Sequence, residues 1–494
     1  MVIYIHGRVN FVGNGSRPLS RAIKQGAVLL AGTIAAQIFP ALAAPLITRV
    51  YRPLDFGAFA VTLAAFGVLA PIACFRYDIA IVLPERDEDA APIAGLCLSI
   101  AAAWSVTLAV ALSLAERYAG PSRYREFALL LLTMVPASLL MQGCQSVAQN
   151  WSLRTQNFHI ISLATALQAA TTVVCQLLFG KLIAPSAFSL VGGALIGNAA
   201  AVLVLLPVLT KTVLPAVYAH APRSRLAAAA RDYLRFPLIT GPYAFFGQAA
   251  TRGALIVLSY WVSAAIVGQY ALAQRITLLP VVTVGAAMSQ LFYSRAARRI
   301  DEPRTEHVVR TMLRVGPWIF GPFFILLILF GTRAFALVFG SAWAESGKLA
   351  GILAAAALAR SSTAWLDRIF DIRSKQHLAL AMEAVFATVG LAAMYIVLRE
   401  THDVEAGVAV YVAATVIFYL LWMMMALHIA PFAQQISVEF LVSTLVMVAV
   451  VVGAYEALRH LRVPLMGQFV GTALLGAALA VIGLKHASAK LAQA

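Results

Sequence analysis

The sequence predicts an all-α polytopic membrane protein of about fourteen transmembrane helices, built as two six-helix lobes in parallel pseudo-repeat with two further helices after them. Three observations carry this reading. Of the 494 residues, 61% are hydrophobic and only 12% charged, with a mean hydropathy of +0.85; a soluble domain is roughly half apolar and a quarter charged. The apolar residues come in runs of about 20 without strict alternation, which suits helices rather than a closed barrel. A stretch near residue 50 also recurs, faintly, six spans later.

The spans are expected at about 25–47, 57–83, 91–114, 126–149, 159–180, 187–210, 233–260, 265–293, 315–336, 348–370, 377–398, 405–428, 438–458 and 465–484. Residues 1–24 are mixed and basic and lack a continuous apolar stretch, so they read as a cytoplasmic segment without a cleavable signal, the first span inserting itself. Residues 25–210 then form an N-terminal lobe, 211–232 a cytoplasmic linker, 233–428 a C-terminal lobe and 438–484 two additional helices. The segment "SRAARRIDEPRTEHVVRTMLRV" reads as a short basic surface helix. Lys and Arg favour one side of the membrane about two to one, which places both termini in the cytoplasm.

The repeat pairs "PLITRVYRPLDFGAFA" (45–60) with "IVLSYWVSAAIVGQYA" (256–271), matching Gly57 to Gly268 and Phe59 to Tyr270. Six intervening spans preserve orientation, so the lobes are parallel repeats, a pattern of transporters with the substrate between lobes. Pro40 and Pro45 in the first span, and Pro237 and Pro242 in the seventh, are suited to lobes that bend.

The net charge of +16 lies mostly in loops between spans, as positive-inside topology and contact with anionic lipid require, so no nucleic-acid partner is expected. Cys74, Cys97, Cys144 and Cys175 lie in apolar runs as small hydrophobes without disulfide or metal spacing. No P-loop, G-x-S-x-G, H-E-x-x-H or Cys/His cluster is present, and no loop exceeds about 22 residues. No catalytic residues, metal or cofactor are expected, and the chain is not read as an enzyme.

Four arginines interrupt the spans. Arg76 lies roughly 12 Å inside the cytoplasmic end of the second, with Asp78 two residues on and therefore on another face of a helix. Arg76 either snorkels to the headgroups or lines a wet cavity while Asp78 meets another helix. Arg252 and Arg275 sit near the bilayer midplane, and no acidic residue occurs between Asp232 and Asp301. An arginine there costs at least about 2.5–3.5 kcal/mol. Its compensation is a carboxylate such as Asp78 or Asp367, water, or an anionic ligand. Gln248, one turn from Arg252, and Gln274, beside Arg275, could meet sugar hydroxyls or neighbouring helices. Arg360 is the fourth.

Several stretches together resemble the bacterial polysaccharide transporters. Tyr51, Pro53, Phe56, Gly57 and Phe59 resemble their Tyr-x-Pro-x-x-Phe-Gly-x-Phe loop, and Arg76-Tyr77-Asp78-x-Ala80-Ile81 the segment that follows. Trp151-x-x-Arg154, Gly268-x-Tyr270-Ala271 with Arg275, and Phe339-Gly340-x-x-Trp343-x-x-Ser346-Gly347 resemble later signatures, in the right order. The chain is thus similar to O-antigen or exopolysaccharide flippases of the multidrug/oligosaccharidyl-lipid/polysaccharide (MOP) exporter superfamily. The resemblance implies two six-helix lobes around a central cavity in the bacterial inner membrane. The implied cargo is a polyprenyl-diphosphate-linked oligosaccharide, with membrane lipids and the polysaccharide polymerase or export machinery as partners. Arg76, Arg252 and Arg275 are the expected diphosphate contacts, with Asp78, Gln248 and Gln274 beside them. A drug/cation antiporter of the same superfamily should favour acidic cavity residues, whereas the deepest charges here are basic. An integral-membrane glycosyltransferase or polymerase is the third class, and would show a long external loop with catalytic residues.

Overall fold

A computed structural model describes residues 3–5, 8–10, 36, 38–118, 125–296 and 300–493. The N-terminal segment, most of the first predicted span and the loop around Gly120 therefore lie largely outside the described residues. Apart from one antiparallel hairpin, β1 (Ile3–Ile5) with β2 (Arg8–Asn10), the regular structure among the described residues is helical. The hairpin was not expected; Ile3, Tyr4, Ile5 and Val9 are residue types that favour strands.

The helices are α1 (Ile38–Val50), α2 (Pro53–Leu69), α3 (Asp87–Tyr118), α4 (Arg125–Arg154), α5 (Phe158–Leu182) and α6 (Ala187–Val208). Then come α7 (Leu214–His220), α8 (Arg223–Asp232), α9 (Gly241–Trp261) and α10 (Ala264–Ala296). The remainder are α11 (Pro303–Phe339), α12 (Ala344–Thr363), α13 (Asp367–Ile372), α14 (Gln376–Thr401), α15 (Val404–Ile429), α16 (Gln435–His460) and α17 (Leu465–Gln493). Among the described residues, 11 stretches are long and apolar enough to cross a membrane. The chain is a multi-pass membrane protein. The expected fourteen is not reached on length and composition: α1 is short, and α9 and α10 are helices that fall outside the eleven. Large apolar side chains such as Leu203, Leu445 and Leu474 stay exposed, as lipid-facing positions do.

Three expected elements take another form. The second span is not one helix to residue 83; α2 ends at Leu69 and a broken segment follows. The expected surface helix is instead the start of α11, which begins at Pro303, a residue well tolerated in the first turn of a helix, and runs for 37 residues. The stretch after residue 210 is helical too: α6 passes through a π-turn, Leu209–Val213, into α7.

The chain divides into two compact units, one containing Thr62–Phe245 and the other Ala44–Val61 with the chain from Phe246 onward. In the first unit the core gathers Cys74, Tyr77, Ile81, Ile93, Val147 and Trp151. α8 docks on it through Tyr77, whose hydroxyl donates to the Ala230 carbonyl at 2.9 Å.

In the second unit the two glycines matched in the repeat meet each other. A Cβ on Gly57 would fall 1.7 Å from the Ala264 carbonyl oxygen, and one on Gly268 2.0 Å from that of Pro53. Both positions thus need glycine, because the backbones of α2 and α10 are in direct contact. Beside them Gln269 clips the α11–α12 corner. Its amide donates to the Ala342 carbonyl (2.6 Å) and accepts from the Ser346 main chain (2.9 Å) and hydroxyl (2.5 Å). Trp343 donates to the Thr48 carbonyl at 3.0 Å and meets Phe56 edge-on. The last two helices pack on α11. Glu439 of α16 accepts from Arg310 (3.1 Å) and Arg314 (2.9 Å), and Phe330 stacks edge-on between Tyr455 and Phe469.

Candidate functional site

The chain after α2 breaks for a local reason. Pro71 has no amide hydrogen to continue the ladder, and the helix tightens to a 3-10 turn at Ala70–Ile72. Phe75 and Arg76 then both adopt the left-handed conformation, at φ 46° and 64°. For non-glycine residues this costs roughly 1–2 kcal/mol each, so the surroundings must hold it. Tyr77, Ala80 and Ile81 are buried in a second 3-10 turn, Tyr77–Val82. Farther on, Arg154 closes the loop before α3, donating to Asp87 (3.0 Å) and to the Glu85 and Pro84 carbonyls.

The break opens a cavity of about 230 Å³ within the first unit. Arg76 and Asp78 line it from the broken segment, Gln142 and Ser146 from α4. Asp78, 7% exposed, accepts through Oδ2 from the Ser146 hydroxyl (2.6 Å) and the Asn150 amide (3.5 Å). Nε of Arg76 is buried without a hydrogen-bond partner. The Gln142 side chain forms no hydrogen bond among the described residues.

Ser138, Gln142, Ser146 and Asn150 recur every four residues, so one face of α4 is polar within a membrane span. A neighbouring chain of amides is self-contained: Gln145 donates to Gln168 (3.1 Å), Gln168 to Asn198 (2.7 Å) and Asn198 to Ser138 (3.2 Å). The sequence reading passed over this face. Its signal, "SLLMQGCQSVAQN" with polar residues at intervals of four, was open to view but carries no charge.

In the second unit Arg252 donates to Gln248 at 2.9 Å, one turn back on α9. Gln274 donates to the Thr251 carbonyl at 2.9 Å, which sets Arg275 on α10 level with Arg252. The Arg275 side chain forms no ion pair or hydrogen bond among the described residues, and that of Arg252 no ion pair. Asp367 lies 3.7 Å from its neighbour Arg368. One predicted amide thus orients an arginine, and the other ties two helices together. Tyr411 of α15 donates to the Ala250 carbonyl and fixes the same level of α9.

A sequence model described as polysaccharide biosynthesis protein matches residues 46–348. The chain belongs to this family. The match takes in the broken segment, the α4 face, Arg252 and Arg275, and ends just past the Trp343–Gly347 corner, before α16 and α17. No curated protein matches the chain by sequence. Among solved structures, lipid II flippase MurJ in an inward closed conformation aligns at a TM-score of 0.64 and 14% identity, covering 92% of this chain and 98% of its own. An outward-facing multidrug resistance MATE family transporter of the MOP superfamily aligns at 0.57 and 14% identity, covering 83% and 96%. An inward-facing one aligns at 0.54 and 15%, covering 82% and 94%. These likenesses establish a shared fold.

Proposed function

We propose that the protein is a flippase that carries a polyprenyl-diphosphate-linked oligosaccharide from the cytoplasmic to the periplasmic leaflet by alternating access, for O-antigen or exopolysaccharide biosynthesis. The observation that carries this is the pair of midspan arginines, level with one another and without a carboxylate partner among the described residues, in a chain of a polysaccharide biosynthesis family. An uncompensated arginine at that depth is costly, and an anionic headgroup supplies the missing partner. Arg252 and Arg275 are assigned to the diphosphate, Gln248 to holding Arg252, and Gln274 to setting the level. The fold shared with MurJ, which is itself described as a lipid II flippase, supports the same reading.

The physics suits the cargo. Stripping a sugar hydroxyl of water costs roughly 2–7 kcal/mol, and a charge far more. Polar groups within the spans remove much of that barrier while the polyprenyl chain stays in lipid. With the inside negative, outward movement of an anion is favoured by about 2.3 kcal/mol per charge per 100 mV. A drug antiporter is disfavoured, because the deepest charges in the sequence are basic, whereas a site for cationic drugs should favour acidic residues. In this reading the protein lies in the bacterial inner membrane with both termini cytoplasmic.

Purified protein in liposomes, supplied with lipid-linked oligosaccharide, should move it across the bilayer without altering it. Transfer products would indicate a glycosyltransferase or polymerase. Movement of cationic drugs in exchange for protons or sodium, with none of the glycolipid, would indicate an antiporter.

A further inference from the structure

We infer that the cavity at the break after α2 is a sugar-binding subsite, with Gln142 as its specificity-determining residue, and not a second seat for the diphosphate. The inference rests on the flippase reading and assigns a different part of the cargo to the first unit.

Size comes first. At about 230 Å³ the cavity would hold some seven or eight waters at their liquid share of roughly 30 Å³ each. That is below the ~300–1,000 Å³ of pockets that enclose a drug-sized ligand. The cavity is open on one side, so it accommodates a single ring while the rest of the oligosaccharide extends out of it.

Charge and hydrogen-bond capacity then choose the ring. A diphosphate oxygen only accepts, and a wall made to hold it should be made of donors. Here Asp78 stands on the same wall as Arg76. Its Oδ2 is held by Ser146 and Asn150, while Oδ1 takes no bond among the described residues. That carboxylate repels an anion. A sugar hydroxyl both donates and accepts. One hydroxyl can donate to Asp78 while it or its neighbour accepts from Arg76 or Gln142. The remaining wall, Ala70, Pro71, Ala73 and Cys74, is small and apolar, and suits the C–H face of a pyranose.

Commitment singles out Gln142. On the polar face of α4, Gln145 is bonded to Gln168, and Ser146 and Asn150 hold Asp78. Gln142 lines the cavity with both ends of its amide unused. The opposite wall is rigid: the left-handed backbone at Arg76 is pinned by Tyr77 on α8 and by Asp78 on α4. A prearranged mixture of donor and acceptor loses little freedom on binding.

The test measures binding to the protein in nanodiscs of bare polyprenyl diphosphate and of the same lipid bearing one glucose, galactose or N-acetylglucosamine. Wild type should bind at least one sugar-bearing lipid about tenfold more tightly than the bare lipid, the scale of a buried hydrogen bond or two. Gln142→Leu should abolish that preference and leave affinity for the bare lipid as it was. Asp78→Asn keeps the side-chain shape and gives a second readout. A sugar subsite loses the preference, whereas a diphosphate seat gains affinity for the bare lipid as the repulsion is removed. Equal losses for bare and sugar-bearing lipid in Gln142→Leu would overturn the inference, as would no preference in wild type. Wild type that binds neither lipid would overturn the flippase reading itself, an outcome distinct from both.

Discussion

Gln269→Leu should destabilise the protein although Gln269 touches no part of the proposed cargo site. Gln269 is 8% exposed, and its amide makes three hydrogen bonds to the α11–α12 corner, to Ala342 and twice to Ser346, which is wholly buried. Leucine fills a similar volume but strands the Ser346 amide hydrogen and the Ala342 carbonyl; the serine hydroxyl can turn to another acceptor. Hydrogen bonds between membrane helices average only about 0.6 kcal/mol, whereas a buried group left unpaired costs about 1–3 kcal/mol. The corner is protein-enclosed and two main-chain groups are orphaned, so the second figure governs. The expected loss is about 2–4 kcal/mol, or roughly 4–8 °C at about 2 °C per kcal/mol for a large chain. Thermal unfolding in detergent, followed by intrinsic tryptophan fluorescence, reads it directly, because Trp343 sits in the same corner. Gln269→Glu should be at least as damaging, since it keeps the acceptor but loses the donor and buries a charge. A leucine variant within about 1 °C of wild type would refute the reasoning, and would mean that the corner is held by the Gly57–Gly268 contact and Trp343 alone.

Arg252→Gln and Arg275→Gln should leave thermal stability within about 1 kcal/mol of wild type, because neither residue has an ion-pair partner to strand. Each should weaken polyprenyl diphosphate binding about 10- to 100-fold, the scale of a charged hydrogen bond; a 3–5 kcal/mol drop in stability would instead expose a hidden carboxylate. For topology, reporter fusions after Gly120 and after Arg304 should report periplasm and cytoplasm respectively, and the same compartment for both would sink the N-inside arrangement.

Much of the fold could be read from composition because lipid removes most alternatives. Once runs of about 20 apolar residues are established, helices follow from the need to satisfy the backbone internally. The weak repeat was also more informative than its identity suggested. Gly57 and Gly268 were noticed as matching positions, and the structure places them against one another, where any side chain would collide with main chain. Their spacing showed that they corresponded, but no pattern in one sequence says that two such residues touch. The long start of α11 was misread for the opposite reason. A basic stretch looks interfacial by composition, yet Arg310 pairs with Glu306 one turn back, and Arg310 and Arg314 both pair with Glu439, more than a hundred residues away in the sequence.

The site was harder to read because its decisive feature is a backbone event. Hydropathy sees "GAFAVTLAAFGVLAPIACFRYDIAIVLP" as one span with a misplaced arginine, and the natural question is what the arginine pairs with. The structure replaces that question, since Arg76 is not on a helix at all. The i,i+2 spacing that separates Arg76 from Asp78 on a helix places no such restriction on a left-handed residue followed by a 3-10 turn, and the two side chains line one cavity. Only Pro71 hinted at the break, and proline alone is weak because spans tolerate it by re-satisfying the freed carbonyl elsewhere. Charge drew attention to Arg76, Arg252 and Arg275, while neutral Gln142 passed unnoticed. An amide becomes informative only when its neighbours are known to be committed and it is not. That difference between Gln142 and Gln145, three residues apart on one helix, is a tertiary fact. It is also what turns a polar stripe into a candidate for recognising a neutral, hydroxyl-rich cargo.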